Sequence, residues 1–322
     1  MMGRNHILTG GLALGWLAAA GVGVADHPAS AVLAAELFLW GTTAPDLDAE
    51  ASIASATWSP QQRAAQRLGG ERLVPSARSM LGTITPGGHW LSAAMRLIAR
   101  RHYHATRGQG DPESADDPHR KLWHTCVGAL VMAGVVCVLL SSVGPQLLAA
   151  RWPALDRLRL PDGRWWLPWL TASGPCGLMF GVVIAGWRPR TTWGSLRARG
   201  VGFVLGAATA LVVGAGGGLD GQWYVWLVAV VAGCAVHVAG DKCSRHGASW
   251  WAPFLEHDGH RRWAPTGYLP GWARFRTGYG GESIFVLGLI VVSVLAWWVL
   301  LAARGVLPPA ASPWALLARW LG

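Results

Sequence analysis

The sequence predicts an all-α fold, a polytopic membrane helical bundle with about seven spanning helices. The first observation is composition, because 52% of the 322 residues are hydrophobic and only 14% are charged, against about 25% charged in an ordinary soluble domain. The second is distribution, because the charges, which sum to +10, lie between long uncharged runs. That pattern is typical of membrane proteins and excludes intrinsic disorder, which needs low hydrophobicity. We therefore expect one membrane-embedded domain over residues 1–322, with membrane lipids rather than specific nucleic acid as partners.

Seven apolar runs are the candidate spans, because a bilayer core about 30 Å thick needs about 20 mostly apolar residues per helix. They cover residues 7–25, 28–41, 125–150, 165–187, 201–219, 222–240 and 283–303. The second run is short and carries Glu36 at its middle, so it is either a short span or a re-entrant helix. Asp220-Gly221 forms a tight turn between the fifth and sixth runs, which predicts a helical hairpin.

The distribution of Lys and Arg predicts the orientation of these spans. The N-terminus and the loops after even-numbered spans hold 21 of the 27 Lys and Arg residues. Long loops carry little weight in this rule. If the long loop after the second span is left out, 11 Lys and Arg residues remain on this side and 6 on the other. We therefore expect this side to face the cytoplasm, across the inner (cytoplasmic) membrane. The long loop includes a polar cytoplasmic insertion at residues 49–118, which we expect to be partly disordered because its last part has the composition of a linker.

Four groups of ionisable residues stand at the ends of the predicted spans, and ionisable groups at membrane depth are costly enough to count as functional candidates. The candidate metal ligands are His6, Asp46, Asp48, His119, His124, His237 and Asp241. The two carboxylates that follow Pro45 can reach one site from a loop. The i, i+4 spacing of His237 and Asp241 places both side chains on one face of a helix, which is a common arrangement for two ligands of one metal.

All the candidate ligands fall on the same predicted side of the membrane, although that side follows from Lys and Arg counts alone. This joint placement predicts one centre of imidazoles and carboxylates at the cytoplasmic face. Nitrogen and oxygen ligands without thiolate suit zinc best, with manganese and iron as alternatives. The candidates exceed one tetrahedral site, so one or two ions are expected, and a pair about 3.5–4 Å apart would hold the attacking and the leaving oxygen of a displacement.

The motifs also follow the order of a known family. They read Asn5-His6 with Gly10, Ala44-Pro45-Asp46-Leu47-Asp48, His119-Arg120-x-x-x-His124, and His237-x-x-x-Asp241-x-x-Ser244-x-x-Gly247 through Pro253-Phe254. Over most of the chain this resembles the YdjM-like family, the LexA-regulated, membrane-bound predicted metal-dependent hydrolases. The resemblance implies a fold distantly like the helical zinc-dependent phospholipase C and nuclease P1 group, which cut phosphoesters at a multinuclear zinc site. The sequence departs from the family at Lys121, Trp123 and Ser244, where Gly, Thr and Thr are usual.

Three assignments concern catalysis. Arg120 is a candidate clamp for a substrate phosphate, since a guanidinium binds phosphate through two hydrogen bonds; the alternative is an ordinary cytoplasmic arginine at a span end. Glu36 lies about 15 Å of helix before Asp46. It is either a partner of a ligand histidine or a residue that hydrogen-bonds between helices. Asp48 counts both as a ligand and as a catalytic carboxylate.

These residues together predict metal-dependent hydrolysis of a small-molecule or lipid phosphoester that reaches the site from the membrane. A divalent ion lowers the pKa of a bound water to about 7, which creates a nucleophile at neutral pH. The alternative is a membrane transporter or metal-ion carrier that binds its cargo with the same His/Asp cluster. Transporters place such sites near the bilayer midplane and often contain repeats. Here the candidates stand at span ends and no repeat is evident, which favours the enzyme.

Overall fold

The computed structural model of the chain describes residues 3–19, 28–48, 88–111, 121–141, 143–158, 168–169, 171–172, 201, 204–209, 211–212, 223–245, 247–254, 262–263, 266–275 and 280–303. Within these ranges the chain forms helices, turns and loops, and no β-strand occurs in them. Two isolated bridges, Ser244 with Phe275 and Ala248 with Thr266, join segments between the last two helices. The all-α prediction is thus confirmed for the described part of the chain.

The principal helices follow the apolar runs. They are α1 (Gly3–Ala19), α2 (Pro28–Gly41), α3 (Gly88–Thr106), α4 (Cys126–Leu140), α5 (Val143–Arg151), α6 (Trp223–Lys242) and α7 (Gly280–Ala303). Two short 3₁₀ turns, Ala44–Asp48 after α2 and Leu122–His124 before α4, stand at helix ends. The predicted runs 28–41, 222–240 and 283–303 therefore form helices with nearly the predicted bounds. Much of the runs 165–187 and 201–219 lies outside the described residues.

Two of the described helices are long and apolar enough to cross a membrane. These segments are Trp223–Lys242, which is α6, and Gly281–Val299 within α7. The bent pair α4 and α5 passes the same test when it is taken as one span, which raises the number to 3. α2 is a shorter apolar helix, as its length predicts. Two or three helices in the described part of the chain thus have the length and composition of membrane spans, and the full set of about seven is not confirmed.

The third predicted span, residues 125–150, is not one straight helix. α4 and α5 meet at a bend of 76°. Ser141 ends α4 in an extended conformation, and its hydroxyl donates to Val138 O and accepts from the N–H of Val143. In an unbroken helix the N–H of residue 145 would bond to Ser141 O, but Pro145 has no N–H and its ring would clash there. The proline is tolerated because it lies in the first turn of α5.

The polar insertion 49–118 contains a helix that its composition did not indicate. α3 buries one stripe of side chains spaced four residues apart, Met95, Ala99 and Tyr103. Trp123 Nε1 donates to Met95 O at 2.9 Å, which fixes α3 against the turn before α4. The insertion therefore contributes packed structure beside the helix ends, as well as polar chain.

One buried carboxylate holds the chain that follows α3. Asp111 is 8% exposed. It accepts hydrogen bonds from the N–H groups of Gly108, Arg262 and Trp263 at 2.8, 3.1 and 3.1 Å. Residues 107–111, which begin the predicted linker, are therefore tied to the segment between α6 and α7.

α2 and α6 pack in parallel with their backbones in contact. Phe38 O lies against Gly233 and Thr42 O against His237, two pairs that share an offset of 195 residues. A Cβ on Gly41 would lie 2.7 Å from a carbonyl oxygen of α6 and 3.2 Å from Gly233 Cα, so a larger residue would separate the helices. Close contact through small residues is how apolar helices associate in a bilayer, where water does not drive them together.

The same reasoning gives the directions of the other helices. α1 and α7 are parallel, because two hydrogen bonds between them, from Asn5 to Glu282 and from Trp16 to Ser293, share an offset of 277 residues. α4 is antiparallel to α6, because Cys137 Sγ contacts the first residue of α6 whereas the turn before α4 meets its last turns. Thus α1, α4 and α7 begin, and α2 and α6 end, at one place, which we call the site end.

Candidate metal centre

Five side chains from four parts of the chain converge at the site end. They are His6 of α1, Asp46 of the 3₁₀ turn after α2, His124 of the turn before α4, and His237 and Asp241 of α6. The three imidazoles are fully buried, whereas the side chains of the two carboxylates are 2% exposed for Asp241 and 14% for Asp46. The cluster thus lies inside the protein and has one carboxylate at its edge.

The nitrogen and oxygen atoms of these side chains have the spacing of a coordination shell. His237 Nε2 is 3.1 Å from His124 Nε2 and 3.4 Å from Asp46 Oδ1. Asp241 Oδ2 is 3.3 Å from His124 Nε2 and 3.7 Å from His237 Nε2. Asp241 Oδ1 is 3.6 Å from His6 Nε2. Two ligands about 2.05 Å from one tetrahedral ion lie about 3.3 Å apart, so these separations match those of ligands that share an ion.

A backbone hydrogen bond orients His237 toward the cluster. Its Nδ1–H donates to Thr42 O at 2.8 Å, which leaves the lone pair on Nε2 directed at the other ligands. Metal-binding histidines typically donate their second ring N–H in this way, and the bond fixes both the tautomer and the ring orientation. The contact follows from the parallel packing of α2 and α6, because Thr42 comes directly after α2.

His6 has no hydrogen bond of its own. Neither ring nitrogen makes a hydrogen bond among the described residues, although Nε2 lies 3.6 Å from Asp241 Oδ1. The ring stacks on His237 with centroids 3.7 Å apart and planes inclined by 18°. A buried polar atom without a partner costs about 1–3 kcal/mol, a cost that a cation at Nε2 would remove. An imidazole must be neutral to bind a metal, because the lone pair on its nitrogen forms the bond.

Local backbone structure explains why these side chains reach one point. The 3₁₀ turn that follows α2 carries Asp46 to the end of α6. Thr125 caps α4 with its side-chain oxygen, so the helix begins directly after His124. Ser244 donates both its N–H and its hydroxyl to Asp241 O, at 2.9 and 2.7 Å, which ends α6 just beyond the ligand.

The structure thus brings together five of the candidate ligands that the sequence predicts. His119, Arg120 and the side chain of Asp48, whose backbone ends the 3₁₀ turn, lie outside the described part of the chain. Glu36 is buried in α2 and belongs to neither group of converging ligand atoms among the described residues. The roles expected of these four residues stay predictions.

Two residues beside the cluster were missed in the sequence. Thr42 acts through its carbonyl oxygen, which every residue has, so no sequence signal could identify it. Glu282 accepts a hydrogen bond from Asn5, the neighbour of His6. Its signal was available, because it is an ionisable residue at the start of an apolar run, the same criterion that identified the ligands.

The donor set defines what the arrangement can do. Three imidazoles and two carboxylates, without a thiolate, can hold a divalent ion of the zinc, manganese or iron type. No protein-family model, curated protein or solved structure matches the chain. The chemistry of these residues is therefore the basis on which a function can be inferred.

Proposed function

We propose that this chain is an integral membrane metal-dependent hydrolase that acts on a phosphoester or lipid-type substrate. The observation that carries the proposal is the convergence of three buried imidazoles and two carboxylates at coordination spacing, with one imidazole that has no hydrogen bond of its own. The resemblance of the ligand motifs to the YdjM-like hydrolases supports the same class. The positive-inside distribution of Lys and Arg supports a site at the cytoplasmic face of the inner membrane.

We infer that the described ligands hold one ion. The two groups of ligand atoms, His6 with Asp46 and His237, and His124 with His237 and Asp241, share His237. Because Nδ1 of His237 is committed to Thr42 O, only Nε2 remains, and one nitrogen lone pair binds one ion. A second ion would need further ligands, for which His119 and Asp48 are the predicted candidates. Zinc is the preferred ion, since mixed nitrogen and oxygen sites are typical of hydrolytic zinc.

The residues around the ion divide the work of hydrolysis. A divalent ion held by His6, Asp46, His124, His237 and Asp241 would supply Lewis-acid activation of water and of the phosphoryl oxygen. Asp46 is the more exposed carboxylate, with 14% of its side chain accessible, and water and substrate are proposed to enter from its side. Asp48 stands two residues further along the same turn and is proposed to accept the proton that the attacking water loses. Arg120 is proposed to bind the phosphate and stabilise its developing negative charge.

A metal-ion carrier is the competing function for the same cluster. Carriers hold their cargo near the bilayer midplane, on helices interrupted at that depth. In this chain the described ligands lie where helices begin or end, and the break between α4 and α5 is at the end of α4 remote from His124. The position of the cluster therefore favours an enzyme.

The test compares metal content and hydrolysis in matched variants. We expect purified protein in lipid nanodiscs to hold about one metal ion per chain and to hydrolyse members of a phosphoester panel in a chelator-sensitive manner. His237→Ala and Asp241→Ala should lose both properties, whereas His104→Ala, which removes an exposed histidine of α3, should retain both. Full metal content in either ligand variant would refute the site. Ion flux into proteoliposomes without hydrolysis would instead establish the carrier.

A further inference from the structure

A buried carboxylate bonds to the neighbour of a ligand and belongs to neither group of ligand atoms among the described residues. Glu282, in the first turn of α7, is 1% exposed, and Asn5 of α1 is 6% exposed. Asn5 Nδ2 donates to Glu282 Oε1 at 2.6 Å, which is at the short end of the range for a charge-assisted hydrogen bond. A buried carboxylate is tolerated only where such bonds compensate for its lost hydration, so the pair is a specific contact between the two helices.

The pair sits at the site end of the α1–α7 contact. A second hydrogen bond, from Trp16 to Ser293, joins the same helices eleven residues further along each, or about 16 Å away. Both hydrogen bonds therefore join α1 to α7 in the same register, but they differ in their distance from the metal ligands. Only the first is next to His6.

The position of His6 depends on the first turn of α1. Its ring nitrogens make no hydrogen bond among the described residues. The ring stacks on His237, and its Nε2 lies 3.6 Å from Asp241 Oδ1, which is itself a candidate ligand. The Thr9 hydroxyl donates to Asn5 O and His6 O, at 3.0 and 2.9 Å, which closes this turn on itself. The bond from Asn5 to Glu282 joins this turn to α7.

We propose that Glu282 is a positioning residue of the metal centre. Through Asn5 it fixes the first turn of α1, and it thereby holds His6 Nε2 within coordination distance of the shared ion. The inference rests on the proposed metal centre and extends it to the last helix of the described chain. A ligand without a hydrogen bond of its own needs this external support, because second-sphere contacts normally orient metal-binding histidines.

Cobalt provides a readout that a merely structural contact would not change. The visible absorption of protein-bound Co²⁺ reports its coordination number and its nitrogen ligands. We expect Glu282→Ala to raise the Co²⁺ dissociation constant about 10- to 100-fold and to shift the spectrum toward that of His6→Ala. Ser293→Ala, which removes the matching bond at the far end of the same helix pair, should leave both quantities at wild-type values.

A double variant that exchanges the hydrogen-bond donor and acceptor distinguishes loss of positioning from loss of folding. Asn5→Asp alone places two carboxylates together and should weaken Co²⁺ binding. Combined with Glu282→Gln it restores a hydrogen bond of reversed polarity, and affinity should return to within about threefold of wild type, or about 0.65 kcal/mol. Wild-type affinity and spectrum in Glu282→Ala, or equal losses in Glu282→Ala and Ser293→Ala, would overturn the positioning role. Absence of Co²⁺ binding by the wild-type protein would overturn the metal centre itself.

Discussion

Replacing Gly233 by alanine tests whether the contact between α2 and α6 sets the geometry of the metal centre. The added Cβ would collide with Phe38 O and would lie 3.0 Å from Gly41 Cα. Both are backbone atoms and cannot rotate away, so the helices must separate by about 1 Å, and such overpacking costs about 1–3 kcal/mol. The bond from His237 to Thr42 lies one turn further along the same two helices, so the separation also moves a ligand.

The expected result has two parts, a loss of stability and a loss of metal affinity. Gly233→Ala should lower the free energy of unfolding in detergent micelles by about 1–3 kcal/mol. It should also raise the zinc dissociation constant about 10- to 100-fold, the usual effect of disturbing a histidine's outer hydrogen bond. Zinc affinity is measured by competition with a chromophoric chelator, and stability by denaturant titration.

Gly134→Ala is the matched control. Gly134 lies within α4, and a Cβ there would meet no atom within 4 Å, so the change adds the same methyl group without a collision. Alanine is the better helix former by about 0.8–1.0 kcal/mol, so this variant should be at least as stable as wild type and bind zinc equally well. If Gly233→Ala behaved like Gly134→Ala in both measurements, the backbone contact and its control of His237 would be refuted.

Two further predictions concern the loop anchor and the ion. Asp111→Ala removes the acceptor of three N–H groups, of which that of Trp263 is buried and the other two are partly buried. It should lower the free energy of unfolding by about 1–3 kcal/mol and leave zinc affinity at the wild-type value. A variant as stable as wild type would contradict the anchor. Removal of metal by chelation should destabilise the protein, because zinc at a hundredfold excess over its dissociation constant contributes about 2.7 kcal/mol. Chelator should leave the free energy of unfolding of His237→Ala unchanged. If chelator destabilised this variant as much as wild type, the stabilising ion would bind elsewhere.

Helix positions were predictable where hydropathy alone decides them. The run 28–41 became α2 with the same bounds, and the last two runs became α6 and α7, because length and apolar composition are local properties. The break at Ser141 was missed, since apolar composition does not reveal a missing N–H at Pro145. α3 was missed because its mean polarity hides the buried stripe of Met95, Ala99 and Tyr103, although that four-residue spacing was present in the sequence.

The candidate ligands were predictable for a chemical reason. Imidazole and carboxylate groups at the ends of apolar runs are costly to bury unless they bind something, so His237 and Asp241 could be identified from spacing alone. The contacts that orient them could not. The bond from His237 to Thr42 O and the pair of Asn5 with Glu282 join residues 195 and 277 positions apart, and neither partner carries a signal that names the other.

By itself the amino-acid order indicated that the runs 28–41, 222–240 and 283–303 become helices and which side chains are able to bind a metal, because both depend on the chemistry of nearby residues. The tertiary structure decided that α2 and α6 run side by side in one direction, in contact at Gly41 and Gly233, and that α1 is joined to α7. Helix direction and register arise from packing between distant segments. A difference of one turn, about 5.4 Å, would be enough to take His6 or His237 out of reach of a shared ion.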